Sequence, residues 1–118
     1  MPVATIKYGA EGRELQVHEV QPLLHASAKD SASYLRKRSL AIAKRSSKFE
    51  HVLLMKNNIA VASPSEGTPA KNILQQLCDS NAVPGLKGGG SESYAQGKAV
   101  EIISSQVVIE CLSGKSPL

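Results

Sequence analysis

The spacing of apolar positions changes along the chain, and each change marks an element. Residues 4–8 (Ala-Thr-Ile-Lys-Tyr) and residues 14–20, where Leu15 and Val17 alternate with Gln16 and His18, read as two short strands around the turn signal Gly9-Ala10-Glu11-Gly12. Pro22 stops the second. Over residues 30–47 the period lengthens to that of a helix, with Asp30 or Ser31 as its cap. At about 100° per residue, Ala32, Leu35, Ser39, Ile42, Ala43 and Ser46 share one side. Residues 50–56 and 59–63 are two apolar runs joined by Asn57-Asn58, a pair that tolerates the left-handed backbone of a tight turn, and they predict a hairpin. Thr68 then offers a helix cap, with Pro69 at a first helical position where no N–H is needed. Ile73, Leu74 and Leu77 form the buried stripe of this helix, which ends near Asp79.

Val83-Pro84-Gly85 breaks the chain before a glycine run. The last apolar segment, residues 98–112, is ambiguous: Val100, Ile102, Ile103, Val107, Val108 and Ile109 favour a strand by propensity, whereas its length favours a helix. The expected fold is α/β of the α+β kind, a small mixed or antiparallel sheet packed against about three helices. Its expected core is Leu35, Ile42, Val52, Leu54, Val61, Ile73, Leu74, Leu77, Ile102, Val107 and Cys111.

Length and composition narrow the picture. A chain of 118 residues suffices for one core and predicts a single domain over 1–118. A formal charge of +4 and a pI near 9.2 favour polyanionic partners. Tryptophan is absent, Phe49 is the lone phenylalanine, and the tyrosines are Tyr8, Tyr34 and Tyr94, so a platform stacking several single-stranded bases is hard to build. Sugar-phosphate contacts need fewer aromatics. Cys78 and Cys111 stand far apart in apolar segments and read as reduced core thiols. No apolar run is long enough for a membrane span and no signal-peptide pattern opens the chain, which gives a cytoplasmic expectation.

Two segments carry candidate binding chemistry. On the predicted helix, Lys37, Arg38, Lys44, Arg45 and Lys48 fall in one arc opposite the apolar side, with Tyr34 near them and no carboxylate interspersed. A solvated helix face accounts for such an arc, but solvated faces usually mix signs, and five like charges repel unless a polyanion covers them. The second segment is Lys87-Gly88-Gly89-Gly90-Ser91-Glu92-Ser93-Tyr94-Ala95-Gln96-Gly97. Glycines let backbone approach a ligand and let successive N–H groups converge on a phosphate, although Gly and Ser also build flexible linkers.

The order of these parts resembles the C-terminal domain of alanyl-tRNA synthetase, often called C-Ala, a member of the DHH-associated domain family. The likeness covers residues 28–112 and is most specific over 87–98, where Gly88, Gly89, Gly90, Ala95 and Gln96 occupy the family's glycine run and Ala-Gln. Residues 1–27 match it poorly. The resemblance implies that residues 98–112 are helical. It also implies a non-catalytic tRNA-binding module that contacts the tRNA elbow and links aminoacylation with editing in translation. Gly88, Gly89 and Gly90 would permit backbone approach, Lys87 and Lys98 would supply charge, and Gln96 would offer an amide. Lys37, Lys44, Arg45 and Lys48 would add a second strip. Alanine tRNA is the expected partner, with DNA and a synthetase catalytic or editing domain as further candidates.

Enzyme signatures are missing from the sequence. His18, His25 and His51 are scattered, and no closely spaced histidine or cysteine pair suggests a metal site. No Gly-x-Ser-x-Gly elbow or phosphate-cradling Walker loop occurs, and no cofactor is expected. Glu50 and His51 are adjacent, but strand neighbours point to opposite faces and make a poor acid-base pair. Two other readings remain: a substrate-binding domain related to DHH phosphoesterases, which in many cases carry a histidine where this chain has Ser91, and an adaptor whose basic helix docks an acidic protein surface.

Overall fold

The computed structural model describes residues 3–8, 13–22, 27–45, 48–64 and 67–113. A six-stranded mixed sheet is packed between helix α1 on one face and helices α2 and α3 on the other. The elements run β1 (Ala4–Tyr8), β2 (Arg13–Glu19), α1 (Ala28–Arg45), β3 (Glu50–Met55), β4 (Asn58–Ala62), α2 (Ala70–Asp79), β5 (Lys87–Gly90), β6 (Tyr94–Lys98) and α3 (Ser105–Leu112). Strand order is β1-β2-β3-β4-β6-β5, with β2 and β3 parallel and the other neighbours antiparallel. The β2-α1-β3 unit is the crossover that a parallel pair requires. The turn signal at 9–12 and the position of Ser46 lie outside the described residues.

Alternation along the strands divides the interior in two. Leu15 and Val17 of β2, Val52 and Leu54 of β3, Ile59 and Val61 of β4, and Ala95 of β6 face α2 and α3. They pack there with Ile73, Leu74, Leu77, Ile103, Val108 and Leu112. On the opposite face Leu53, Met55 and Ala60 meet Leu35 of α1, with Tyr34, Ile42 and Tyr94 at the margin. Ser39 is fully buried in α1, and its hydroxyl donates to the Leu35 carbonyl at 2.7 Å, so its burial leaves no unsatisfied donor.

Several expectations shift on contact with the structure. Helix α1 begins earlier than Asp30: Ser27 Oγ accepts from the Asp30 N–H at 3.1 Å, which puts the Asp30 carboxylate in the first turn beside the positive helix end. The β3–β4 turn is Lys56-Asn57, with Lys56 at φ 55, because Asn58 already pairs with Met55. Pro69, not Thr68, is the N-cap of α2, and no side chain caps that helix.

Residues 98–112 are helical only from Ser105, because Ile103 N–H is held by the Lys56 carbonyl at 2.8 Å and Ala99 N–H by the Asn57 carbonyl at 2.8 Å. The extended approach sends Ile103 inward and leaves Ile102, expected in the core, 77% exposed. Val107 and Cys111 are half-buried while their neighbours Val108 and Leu112 carry the core contact.

Glu50 and His51 do lie on opposite faces. The fully buried Glu50 carboxylate accepts from Arg13 Nε at 2.8 Å and Thr68 N–H at 3.2 Å, tying β2 and the approach to α2 onto β3. His51 lies on the α1 face, its Nδ1 3.1 Å from Nε2 of His18 and its ring edge-on to Phe49. Burial lowers the His18 pKa to about 4, helped by the nearby His51 and Arg38 charges. The unfolded chain therefore binds more protons between pH 4 and 6.5, and the contribution of neutral His18 is complete above 6.5 and lost as pH falls toward 4. The unfolding free energy obtained from thermal melts should accordingly fall as pH is lowered across this window, by up to about 3 kcal/mol for this group. His18→Gln should flatten the dependence, and an unchanged slope would detach it from His18.

Candidate nucleic-acid interface

The glycine run forms a strand, not a loop. Residues Lys87–Gly90 make the outer strand β5, all four exposed, paired with β6 in the register Lys87↔Lys98, Gly88↔Gly97, Gly89↔Gln96 and Gly90↔Ala95. None of these three glycines has positive φ. A converging nest of N–H groups is therefore replaced by an edge, where N–H groups point alternately to the partner strand and to solvent.

Close approach explains why glycine stands at two of the three positions. A Cβ on Gly88 would strike the Gln96 carbonyl oxygen, and one on Gly90 the Tyr94 carbonyl oxygen, whereas one on Gly89 would meet nothing within 4 Å. Gly88 and Gly90 let β5 fold against β6. Gly89 leaves an open floor on the opposite side of the ribbon.

Backbone hydrogen bonds fix this ribbon to α2. The carbonyls of Ser91 and Glu92, in the β5–β6 turn, accept from Lys71 N–H at 3.1 Å and Ala70 N–H at 2.8 Å. These donors would otherwise be orphans at the helix start, so the turn takes the place of the missing side-chain cap. The same bonds occupy the end of α2 that would otherwise attract an anion.

On its α1 side the ribbon presents Lys87 and Gly89 from β5 and Tyr94, Gln96 and Lys98 from β6, as the register and strand alternation require. Lys87 and Lys98 are exposed and directly opposite one another. Arg13–Glu50 is the one ion pair found among the described residues, so neither lysine is neutralised by a carboxylate there. Gln96 is half-buried: its Oε1 accepts from the Tyr94 hydroxyl at 3.0 Å and its Nε2 donates to the Ala32 carbonyl of α1 at 3.3 Å. Its amide is mainly a strut between β6 and α1, with one Nε2 hydrogen left for a ligand.

The basic ridge of α1 divides around this seam. Lys37, Arg38, Lys44, Arg45 and Lys48 are all exposed. Lys44 lines a shallow trough with Leu40, Pro64 and Ser93, which brings it to the turn of the glycine ribbon. Arg38 acts on His18 at the opposite flank. Lys37 stands on the solvent side of α1 and Arg45 is its last residue, whereas Lys48, expected in the same helical arc, lies beyond the helix in the turn before β3. Tyr34 packs at the margin of the core instead of joining the cations.

Sequence reasoning missed Arg36, whose guanidinium carbon lies 5.5 Å from the centroid of Tyr94. The signal was its placement four residues after Ala32, on the flank between the apolar side and the ridge. Burial raises the Tyr94 phenol to about 12, against the opposing pull of Arg36, so it stays a neutral donor to Gln96.

Among the described residues no group of three or more His, Cys, Asp or Glu is placed to hold a metal ion, and no helix is long and apolar enough to cross a membrane. Cys78 and Cys111 are half-buried free thiols, the former with its pKa raised by burial and by Asp79.

No family model matches the sequence, and no curated protein does. Among solved structures, the chain is similar to the crystal structure of the C-Ala domain from Aquifex aeolicus alanyl-tRNA synthetase. The TM-score is 0.62 at 20% identity, covering 95% of this chain and 100% of that one. The two share a fold.

The glycine geometry makes a direct stability prediction. Gly88→Ala and Gly90→Ala should each destabilise by about 1–3 kcal/mol, because the new methyl meets strand backbone. Gly89→Ala should be neutral or slightly stabilising through the unfolded state. Urea unfolding of the three variants would show this order, and equal losses at all three would refute it.

Proposed function

We propose that the protein is a non-catalytic tRNA-binding module that holds the ribose-phosphate backbone along the glycine edge of its sheet. The lysine pair carries this reading. Like charges directly opposite on neighbouring strands destabilise a sheet, and Lys87 and Lys98 are kept in that arrangement without a neutralising carboxylate. A polyanion relieves the repulsion. The open backbone at Gly89 lets a ribose or phosphate come close, and Lys44 and Lys37 extend the positive surface onto α1. The fold shared with a C-Ala domain supports tRNA over other polyanions.

In its finer form the proposal takes alanine tRNA as the ligand, contacted at its elbow, with DNA as a weaker competitor. The chain would then act with the catalytic and editing parts of an alanine-tRNA ligase, either within one polypeptide or as a partner. Backbone contacts position such a ligand and read little of its sequence, so discrimination among tRNAs would come from shape. Acid-base catalysis by the Glu50–His51 neighbours is disfavoured because they face opposite sides of β3.

Titration against alanine tRNA, a non-cognate tRNA, and single- and double-stranded DNA at several salt concentrations tests this reading. Folded tRNA should bind best, with a steep loss of affinity on adding salt. Lys87→Ala with Lys98→Ala should weaken tRNA binding at least tenfold and make the log-log salt slope shallower by about 1.5, for two phosphates at about 0.7–0.9 each. An unchanged slope would remove the pair from the site, and no binding to any nucleic acid would overturn the proposal.

The open floor gives a second check. Gly89→Val should leave the circular dichroism spectrum folded while lowering tRNA affinity, because the side chain occupies the space a ribose-phosphate would enter. Full affinity in this variant would mean that the ligand does not approach Gly89.

A further inference from the structure

Arg36 differs from the other cations of α1 in what lies beneath it. Lys37 and Arg45 are exposed and Lys44 lines the trough beside Pro64 and Ser93, whereas the Arg36 guanidinium is set over the Tyr94 ring. Tyr94 is itself half-buried against the Leu35, Leu53, Met55 and Ala60 cluster. Its hydroxyl is tied to Gln96 and, through Gln96, to the Ala32 carbonyl one turn before Arg36 on the same helix. The ring is therefore held at both ends, and it supports the guanidinium from below.

Arg36 remains exposed and has no carboxylate within ion-pair distance among the described residues. A planar cation supported on one side and open on the other offers a flat surface on which a nucleobase can stack. Its place in the fold suits that use. Tyr94, Gln96 and Lys98 follow one another on the same face of β6, so the Arg36 platform lies about 13 Å along the strand from the lysine pair, at about 3.3 Å per residue. Backbone held at Lys87 and Lys98 and passing over Gly89 would reach Arg36 within a few nucleotides.

We propose that Arg36, supported by Tyr94, is a base-stacking platform that selects RNA with an unpaired nucleobase beside the phosphate-binding edge. The proposal rests on the RNA-binding reading of that edge. It adds a recognition element that Lys87 and Lys98 cannot supply, since ammonium groups attract phosphate regardless of base pairing. It also explains how a chain with few aromatic residues can engage a base: the exposed stacking surface is a guanidinium, and the aromatic ring serves beneath it.

The test compares two RNA hairpins of identical stem, one with a single bulged adenosine and one fully paired, against the wild-type chain and Arg36→Lys. Lysine keeps the charge and removes the planar face. Wild type should prefer the bulged hairpin by about tenfold, in line with the stacking of one base. Arg36→Lys should lose that preference while its affinity and salt slope for the paired hairpin stay unchanged.

Three outcomes would overturn the platform. They are a preference that survives Arg36→Lys, an equal weakening toward both hairpins as expected of charge alone, or wild-type binding to both hairpins without preference. In each of these the lysine edge still binds RNA, so the broader reading stands. Failure of the wild-type chain to bind either hairpin while it still binds tRNA would also overturn the platform and leave the tRNA reading standing; loss of tRNA binding as well would remove both.

Discussion

A strand of one lysine and three glycines has almost no side chains with which to hold its place at a sheet edge. Its position depends on backbone hydrogen bonding at the other end of its hairpin. Helix α2 begins without a side-chain cap, and the Ala70 and Lys71 N–H groups find the carbonyls of Glu92 and Ser91. The helix thereby satisfies its first donors, and the β5–β6 turn is fixed to an element anchored in the core by Ile73, Leu74 and Leu77. Gly88 and Gly90 then bring β5 against β6 at a distance no Cβ would allow. The same constraint leaves Gly89 bare on the opposite side, so the packing of the ribbon and its openness to a ligand have a common origin.

Helix α1 and the glycine ribbon meet along a polar seam. Gln96 joins β6 to the Ala32 carbonyl, Tyr94 joins Gln96, and Arg36 covers Tyr94. The seam sets the cations of α1 at a definite position relative to Lys87 and Lys98. It also separates two populations on the helix: Arg36 and Lys44 stand beside the ribbon, while Arg38 lies near enough to His18, on the far flank, to disfavour its charged form. A positive charge of +4 is modest for a chain of this length, and its effect depends on this arrangement.

Much of the fold was legible because local patterns agreed with their surroundings. The alternation of Leu15 and Val17, the hairpin near Asn57-Asn58, the stripe of Ile73, Leu74 and Leu77 and the helix stop at Asp79 all appear in the structure. Local rules failed where a distant backbone group intervened. Thr68-Pro69 reads as a capped helix start, yet the donors are satisfied from Ser91 and Glu92, some twenty residues away. The apolar run ending at Leu112 reads as continuous helix by resemblance, yet the β3–β4 turn holds 99–103 extended and exchanges Ile102 for Ile103 in the core. Within the candidate site, Lys87, Lys98 and the glycines were recognisable from residue type. The cross-strand opposition of the lysines needed the register, and Arg36 needed the position of Tyr94.

The sequence by itself determined the kinds of elements, their order, the apolar faces of the first two helices and the presence of a cationic, glycine-rich binding candidate. These follow from side-chain period and backbone freedom, which act over a few residues. The tertiary structure decided that the glycine run is an edge strand, that Gly89 alone is open, that Lys87 faces Lys98 and that Gln96 is committed to α1. Each of these depends on which strand lies beside which and in what register. Strand pairing is settled by the summed packing and hydrogen bonding of residues far apart in the chain, so no short window of sequence contains it.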